Sequence, residues 1–196
     1  MLLLGVGAAQ AADEKTQQGP SAAALALESL PQEVGAYRRS GAVRDLDRLQ
    51  GGAGQGAALR YIPRNNERII ASVIVYDRGR HRAPEGGQNP DVNQEVRAAI
   101  DELHAVQRMG HVRSVAFATG MDISGNSQSG SMRCANFRVI QQDGAPTADS
   151  VCITVQNGRF LKIRLTSWVS PEPMSAGMFA AALLSAVWEA QARAAR

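Results

Sequence analysis

The segment Asp77-Arg78-Gly79-Arg80-His81-Arg82 gathers three arginines and a histidine within five positions, beside a glycine. Guanidinium groups clustered this way hold a phosphate, a carboxylate or an acidic glycan through charge-assisted hydrogen bonds. Arg78, Arg80, His81 and Arg82 are therefore a candidate anion-binding loop. A plainer reading is a solvated loop whose arginines pair with Asp77 and Glu85, since loops collect charge whatever their role.

The second candidate is the pair Cys134 and Cys152, the only cysteines in the chain. Strand side chains alternate between faces. Cys134 then shares a face with Asn136 and Arg138, and Cys152 with Thr154 and Gln156, so both thiols are expected on the more polar side of a sheet. In an oxidising compartment they would pair and close a loop of about 19 residues, a constraint of about 3 kcal/mol. Register decides the matter. A five-residue loop at 143–147 sets Cys134 opposite Gln156, whereas a tighter turn or a bulge brings it opposite Cys152, within the roughly 7 Å between Cα atoms that a disulfide needs. No Cys-x-x-Cys is present, which argues against a redox pair.

Other chemistry is poorly supported. His81, His104 and His111 form no zinc-ligand spacing. The stretch Gly52-Ala53-Gly54-Gln55-Gly56 has the wrong spacing for a dinucleotide loop and precedes a strand, so no helix N-terminus is available to a pyrophosphate. Ser124–Gly130 misses Gly-x-Ser-x-Gly, because Ser129 stands in the second glycine position. No catalytic residue, metal site or cofactor is expected.

These residues need elements to position them. Strands are expected at 36–44, 57–62, 68–76, 112–122, 131–140, 149–156 and 159–168. The stretch Ile69–Tyr76 is apolar at nearly every position and reads as an interior strand. Asn157-Gly158 is the strongest hairpin signal. A helix is expected at 90–109, capped by Asn89, opened by Pro90 and closed by Gly110, with Val92, Val96, Ala99, Ile100, Leu103 and Val106 on one stripe. A second is expected at 172–193, and a short one before Pro31. Consecutive hairpins imply antiparallel pairing. The expected fold is α+β, a mainly antiparallel sheet of five to seven strands with two long helices packed on it.

Leu59-Arg60-Tyr61, Ala71–Gly79 and Gly158–Arg164 resemble segments of a family of uncharacterised small exported proteobacterial proteins. The order of elements is similar to the PsbP-like α/β sandwich. The resemblance covers roughly residues 30–190, and its motifs are structural. It implies an extracytoplasmic accessory or binding role and transfers no catalytic residue.

Compartment is written at the N-terminus. An apolar run from Met1 ends at Ala9-Gln10-Ala11, a small-x-small site followed by polar Asp13-Glu14-Lys15. This pattern predicts a signal-peptide-like segment at 1–11 and a flexible leader at 12–20, although no basic residue precedes the run. The remainder, 21–196, is expected to form one α+β domain. The run is too short to span a bilayer, which takes about 20 apolar residues. A formal charge of +3, with nineteen of twenty-one basic residues arginine, gives no case for nucleic acid.

The expected protein is periplasmic or secreted and non-catalytic, binding an envelope protein or an anionic envelope component. One alternative is a cell-envelope hydrolase with scattered residues, which would need His81 or His111 in a pocket against a carboxylate or Ser. The other is a structural or assembly protein, which would expose a large apolar patch.

Overall fold

The computed structural model describes residues 19–50, 52, 54–66, 68–80, 82–124, 130–168 and 173–194. The expected signal segment 1–11, most of the leader and His81 lie outside the described residues. In chain order the elements are α1 (Ala22–Glu28), β1 (Glu33–Val34), β2 (Tyr37–Arg39), β3 (Arg44–Asp45), α2 (Leu46–Gln50), β4 (Ala57–Pro63) and β5 (Ile69–Tyr76). Then follow α3 (Pro90–Arg108), β6 (Val112–Ser124), β7 (Ser131–Gln141), β8 (Pro146–Gln156), β9 (Arg159–Ser167) and α4 (Pro173–Ala194).

All strand pairs are antiparallel, in the order β1-β2-β4-β5-β9-β8-β7-β6, with β3 beside β2 along the outer edge of β4. The expectation of five to seven strands and two long helices is overturned. Among the described residues there are nine strands and four helices. The difference lies between residues 22 and 50. There, Gly35 and Gly41 take left-handed backbones (φ 56° and 84°): Gly35 sets the two-residue β1 apart ahead of the expected strand at 36–44, and Gly41 divides that strand between the three-residue β2 and the two-residue β3. Pieces that short carry no readable alternation. Residues 46–50, unassigned in the sequence reading, form α2.

The longer elements follow from local chemistry. Asn89 Oδ1 accepts the Val92 amide at 2.9 Å, Pro90 opens α3, and Gly110 ends it with φ 74°. Asn157 and Gly158 both have positive φ (52° and 72°) and form a two-residue turn between Gln156 and Arg159. Such a turn matches the twist of the strands it joins. β5 pairs with β4 on one side and β9 on the other, so it is interior.

Helices cover both faces. One transverse row of cross-strand partners runs Leu59, Val73, Ile163, Cys152, Cys134 and Met121 across six strands. That row lies in the core shared with Ala23, Ala24 and Leu27 of α1 and Phe179, Ala180, Leu183 and Leu184 of α4. The ring of Phe179 packs on Tyr37 and Tyr61, with centroids 4.4 and 5.8 Å apart. On the other face Val92, Val96, Ala99 and Leu103 of α3 pack on Phe137, Val151, Ile153 and Phe160. Burying each large apolar side chain stabilises by about 1.5–3 kcal/mol, which fixes the register of the strands beneath. Among the described residues no helix is long and apolar enough to cross a membrane.

Candidate functional site

The basic loop leaves β5 at Asp77 and folds back on the protein. Arg78 adopts a left-handed backbone (φ 59°), which turns its side chain toward α3. Its guanidinium donates to Glu95, Nη2 to Oε2 at 3.0 Å and Nε to Oε1 at 3.2 Å. Glu95 is buried and also accepts from the Tyr76 hydroxyl at 2.8 Å. Burial pushes the Tyr76 phenol well above its ordinary pKa, and the Glu95 charge adds to that. The bond to Glu95 in turn holds the Arg78 guanidinium more firmly protonated. Arg80 pairs with Asp91 at 3.2 Å and lies 6.0 Å from the Phe160 ring centroid. Arg82 lies over the hairpin turn, where a Cβ on Gly158 would come within 2.4 Å of its Cγ.

The loop acids are committed as well. Asp77 accepts from the Gly79 amide and pairs with Arg159 at 3.8 Å. Glu85 accepts from the amides of Asn157 and Gly158 at 3.1 and 2.7 Å. Arg78, Arg80 and Arg82 thus reach three different partners, and an anion at Arg78 or Arg80 competes with a carboxylate already in place.

The cysteines form a disulfide. Cys134 stands opposite Cys152 in the β7–β8 pairing, with Cα atoms 4.0 Å apart. The turn is tighter than a loop at 143–147. The Gln141 amide donates to the Ala145 carbonyl at 2.9 Å, Asp143 Oδ1 accepts the Ala145 amide, and Gly144 has φ 87°. Pairing therefore begins at Ile140 and Pro146, which shifts Cys152 into place. The sulfurs also sit deeper than a polar side implies, with both cysteines 2% exposed. Their face lies in the core with α1 and α4, and its polar members satisfy one another, as where Ser150 donates to Asn136 at 2.6 Å.

The residues best arranged to receive a ligand were not singled out by the sequence. On the α3 face, Arg60, Ser72 and Arg164 are direct cross-strand partners on β4, β5 and β9. They line an open cleft of about 440 Å³ with an apolar floor that includes Ile70, Leu103, Val106 and Val139. Trp168, just past β9, adds a 40%-exposed indole. Asp149 is the only carboxylate among the residues lining it, and its side chain is 4% exposed. Arg164 Nε donates to Asp149 Oδ1 at 2.9 Å, Arg164 Nη2 to Oδ2 at 3.2 Å, and Thr166 Oγ1 to Oδ1 at 2.6 Å.

Arg60 is exposed and makes no ion pair with any described residue. The alternation of Lys162, Arg164 and Thr166 marks a polar face of β9. It does not reveal that β5 brings Ser72, 92 residues earlier in the chain, beside Arg164. Only the tertiary register does so.

His111 is exposed on the rim of this cleft, and its ring makes no hydrogen bond to Asp149 or Ser72. His104 is half-buried on α3. Among the described residues no group of three or more His, Cys, Asp and Glu side chains is placed to hold a metal ion. Two other depressions hold charged groups that are already paired. One, of about 210 Å³ between α1 and the strands, contains Arg159, which pairs with Asp77. The other contains Arg133, tied to Asp122, Asn93 and Gln88.

No family model and no curated protein matches the chain. Among solved structures it is distantly similar to the solution structure of cyanobacterial PsbP (CyanoP) from Synechocystis sp. PCC 6803. That match has a TM-score of 0.40 and 12% identity, covering 67% of this chain and 74% of that one.

Proposed function

We propose that the protein works outside the cytoplasm as a non-catalytic binding or accessory protein of the cell envelope, and that its binding site is the cleft between α3 and the β4–β5–β9 part of the sheet. One observation carries the reading. The cleft joins an apolar floor to a few convergent polar groups, the usual make-up of a recognition site. Its acid, Asp149, is fully engaged by Arg164 and Thr166, and the ring of its histidine, His111, makes no hydrogen bond to Asp149 or Ser72. Recognition is favoured over turnover on that ground.

Export is supported by the Cys134–Cys152 bond, which persists in oxidising compartments, and by the apolar run ending at Ala9-Gln10-Ala11. Among the described residues the large exposed apolar side chains, Leu25, Leu49, Met109, Phe117, Trp168 and Met178, fall on or beside six different elements, which weighs against an assembly surface.

The test is to express the full chain, fractionate the cells, sequence the N-terminus of the recovered protein and assay it on chromogenic esters and on peptidoglycan. A periplasmic protein beginning at Ala12 and inert toward these substrates is the expected result. Recovery from the cytoplasm with residues 1–11 attached overturns the compartment. Ester or glycan hydrolysis lost on His111→Ala overturns the binding role.

A further inference from the structure

We infer that the cleft takes a small amphipathic organic monoanion, a carboxylate, sulfonate or phosphodiester head on an apolar body, and that Arg60 selects its charge. The inference rests on the binding role proposed above and adds the ligand class.

The row Arg60, Ser72, Arg164 sets three hydrogen-bond donors side by side on adjacent strands, about 4.8 Å apart from strand to strand. The central Ser72 hydroxyl is half-buried and makes no hydrogen bond to another described side chain. Arg164 spends Nε and Nη2 on Asp149, and its side chain remains 42% exposed, so Nη1 still offers donors toward the cleft. The Arg164–Asp149 pair cancels its own charge. What remains is the single positive charge of Arg60, with no unpaired carboxylate among the lining residues to oppose it. One negative charge on a ligand completes that balance. Charge-assisted bonds to a guanidinium are about twice as strong as neutral ones, so the head group discriminates sharply.

The rest of the cleft defines the body. Ile70, Leu103, Val106 and Val139 give an apolar floor, and the Trp168 indole provides a face for a ring or an acyl chain. A volume of about 440 Å³ lies within the range of small-molecule sites. A simple inorganic anion would leave that floor wet, and an uncharged lipid would leave Arg60 unanswered. The two requirements together specify an amphipathic anion.

The experiment uses two fluorescent probes of similar shape, 8-anilinonaphthalene-1-sulfonate and its uncharged counterpart N-phenyl-1-naphthylamine, titrated into the exported protein. The expected result is that the sulfonate binds more tightly. Arg60→Gln then weakens it by about tenfold while changing the uncharged probe by less than about twofold, and Arg60→Lys restores part of the loss. Arg97→Gln, at an exposed position of α3 outside the cleft, changes neither. Because Arg60 is exposed, its variants are expected to keep the wild-type urea midpoint, which is checked alongside. An unchanged sulfonate affinity in Arg60→Gln, or an equal loss for both probes, overturns the charge selection and leaves the binding role standing. Failure of the wild-type protein to bind either probe overturns both.

Discussion

The Tyr76 hydroxyl donates to Glu95 at 2.8 Å, tying the end of β5 to the second turn of α3 through a residue that is 7% exposed. Arg78 supplies the compensating charge from outside, its own side chain 44% exposed. The arrangement is asymmetric. Removing Arg78 strands a buried anion with one neutral donor, whereas removing Glu95 leaves a cation that can turn to water.

That asymmetry sets an order of effects within the basic loop. Arg78→Ala is expected to destabilise by about 2–3 kcal/mol, because a buried charge loses its partner. Arg80→Ala is expected to cost less than about 1 kcal/mol, since the Arg80–Asp91 pair stays open to solvent, with side chains 40% and 32% exposed. Urea denaturation of the two single variants reads the difference. Equal midpoints would show that Glu95 is satisfied without Arg78.

The disulfide makes a second prediction. The bond spans 18 positions, so removing it through Cys134→Ala with Cys152→Ala should lower stability by about 3 kcal/mol. Both cysteines are 2% exposed, under α1 and α4, so reduction should require local opening. Dithiothreitol in native buffer is expected to act slowly, and the same reagent in urea quickly. Thiol labelling in denaturant without reductant should mark no sulfur. Two labelled sulfurs per chain would exclude the bond.

How far the fold was legible depends on the length and proximity of the signals. Asn89, Pro90 and Gly110 define α3 within one or two residues because each does a local job at a helix end. Asn157-Gly158 defines the β8–β9 turn for the same reason. The strands between Glu33 and Asp45 were not resolved, since two or three residues cannot display a period of two. Cys134 and Cys152 were legible as a pair on one face. Their register turned on whether Asp143-Gly144 would tighten the turn, and their burial on a helix about 30 residues later covering that face. Arg60, Ser72 and Arg164 were invisible as a site because strands far apart in the chain must first become neighbours. Periodicity reports which way a side chain points. It does not report which side chain stands beside it.

Tyr61 gives a pH-dependent prediction. It is wholly buried in the core and its hydroxyl donates to the Pro31 carbonyl at 2.6 Å. Burial pushes its phenol up to about 12, from an ordinary value of 10.0. The folded state therefore holds this proton where the unfolded chain has released it. The sign follows directly: the Tyr61 contribution is intact below pH 10 and is lost as pH rises toward about 12. Tyr76, raised for the same reason, acts in the same direction. Urea unfolding at pH 8 and pH 11 should show a drop in stability for the wild type that is smaller in Tyr61→Phe. At pH 8 that variant should be weaker by about 1 kcal/mol for the lost hydrogen bond. An equal drop in both proteins would remove Tyr61 as the cause.

Gly54 and Gly56 hold the loop before β4 against the far end of β5, and that contact is backbone on backbone. A Cβ on Gly56 would lie 1.8 Å from the Val75 carbonyl oxygen, and one on Gly54 would lie 2.1 Å from the Gly79 amide nitrogen. Both residues also have positive φ, at 77° and 93°. Neither clash can be relieved by rotating a side chain. Gly56→Ala must therefore push β4 from β5 or unseat the loop from the Asp77–Gly79 turn, and Gly54→Ala must displace that turn directly. Gly144 has a similar φ of 87° with open space where its Cβ would go, so Gly144→Ala isolates the backbone cost alone. The expected order is a loss of about 1–2 kcal/mol for Gly144→Ala and of more than about 3 kcal/mol for Gly56→Ala. Thermal melting of the variants decides it. Similar losses in the two would mean that the loop yields to the added methyl group, and that the approach of residues 54–56 to β5 adds nothing beyond left-handed strain.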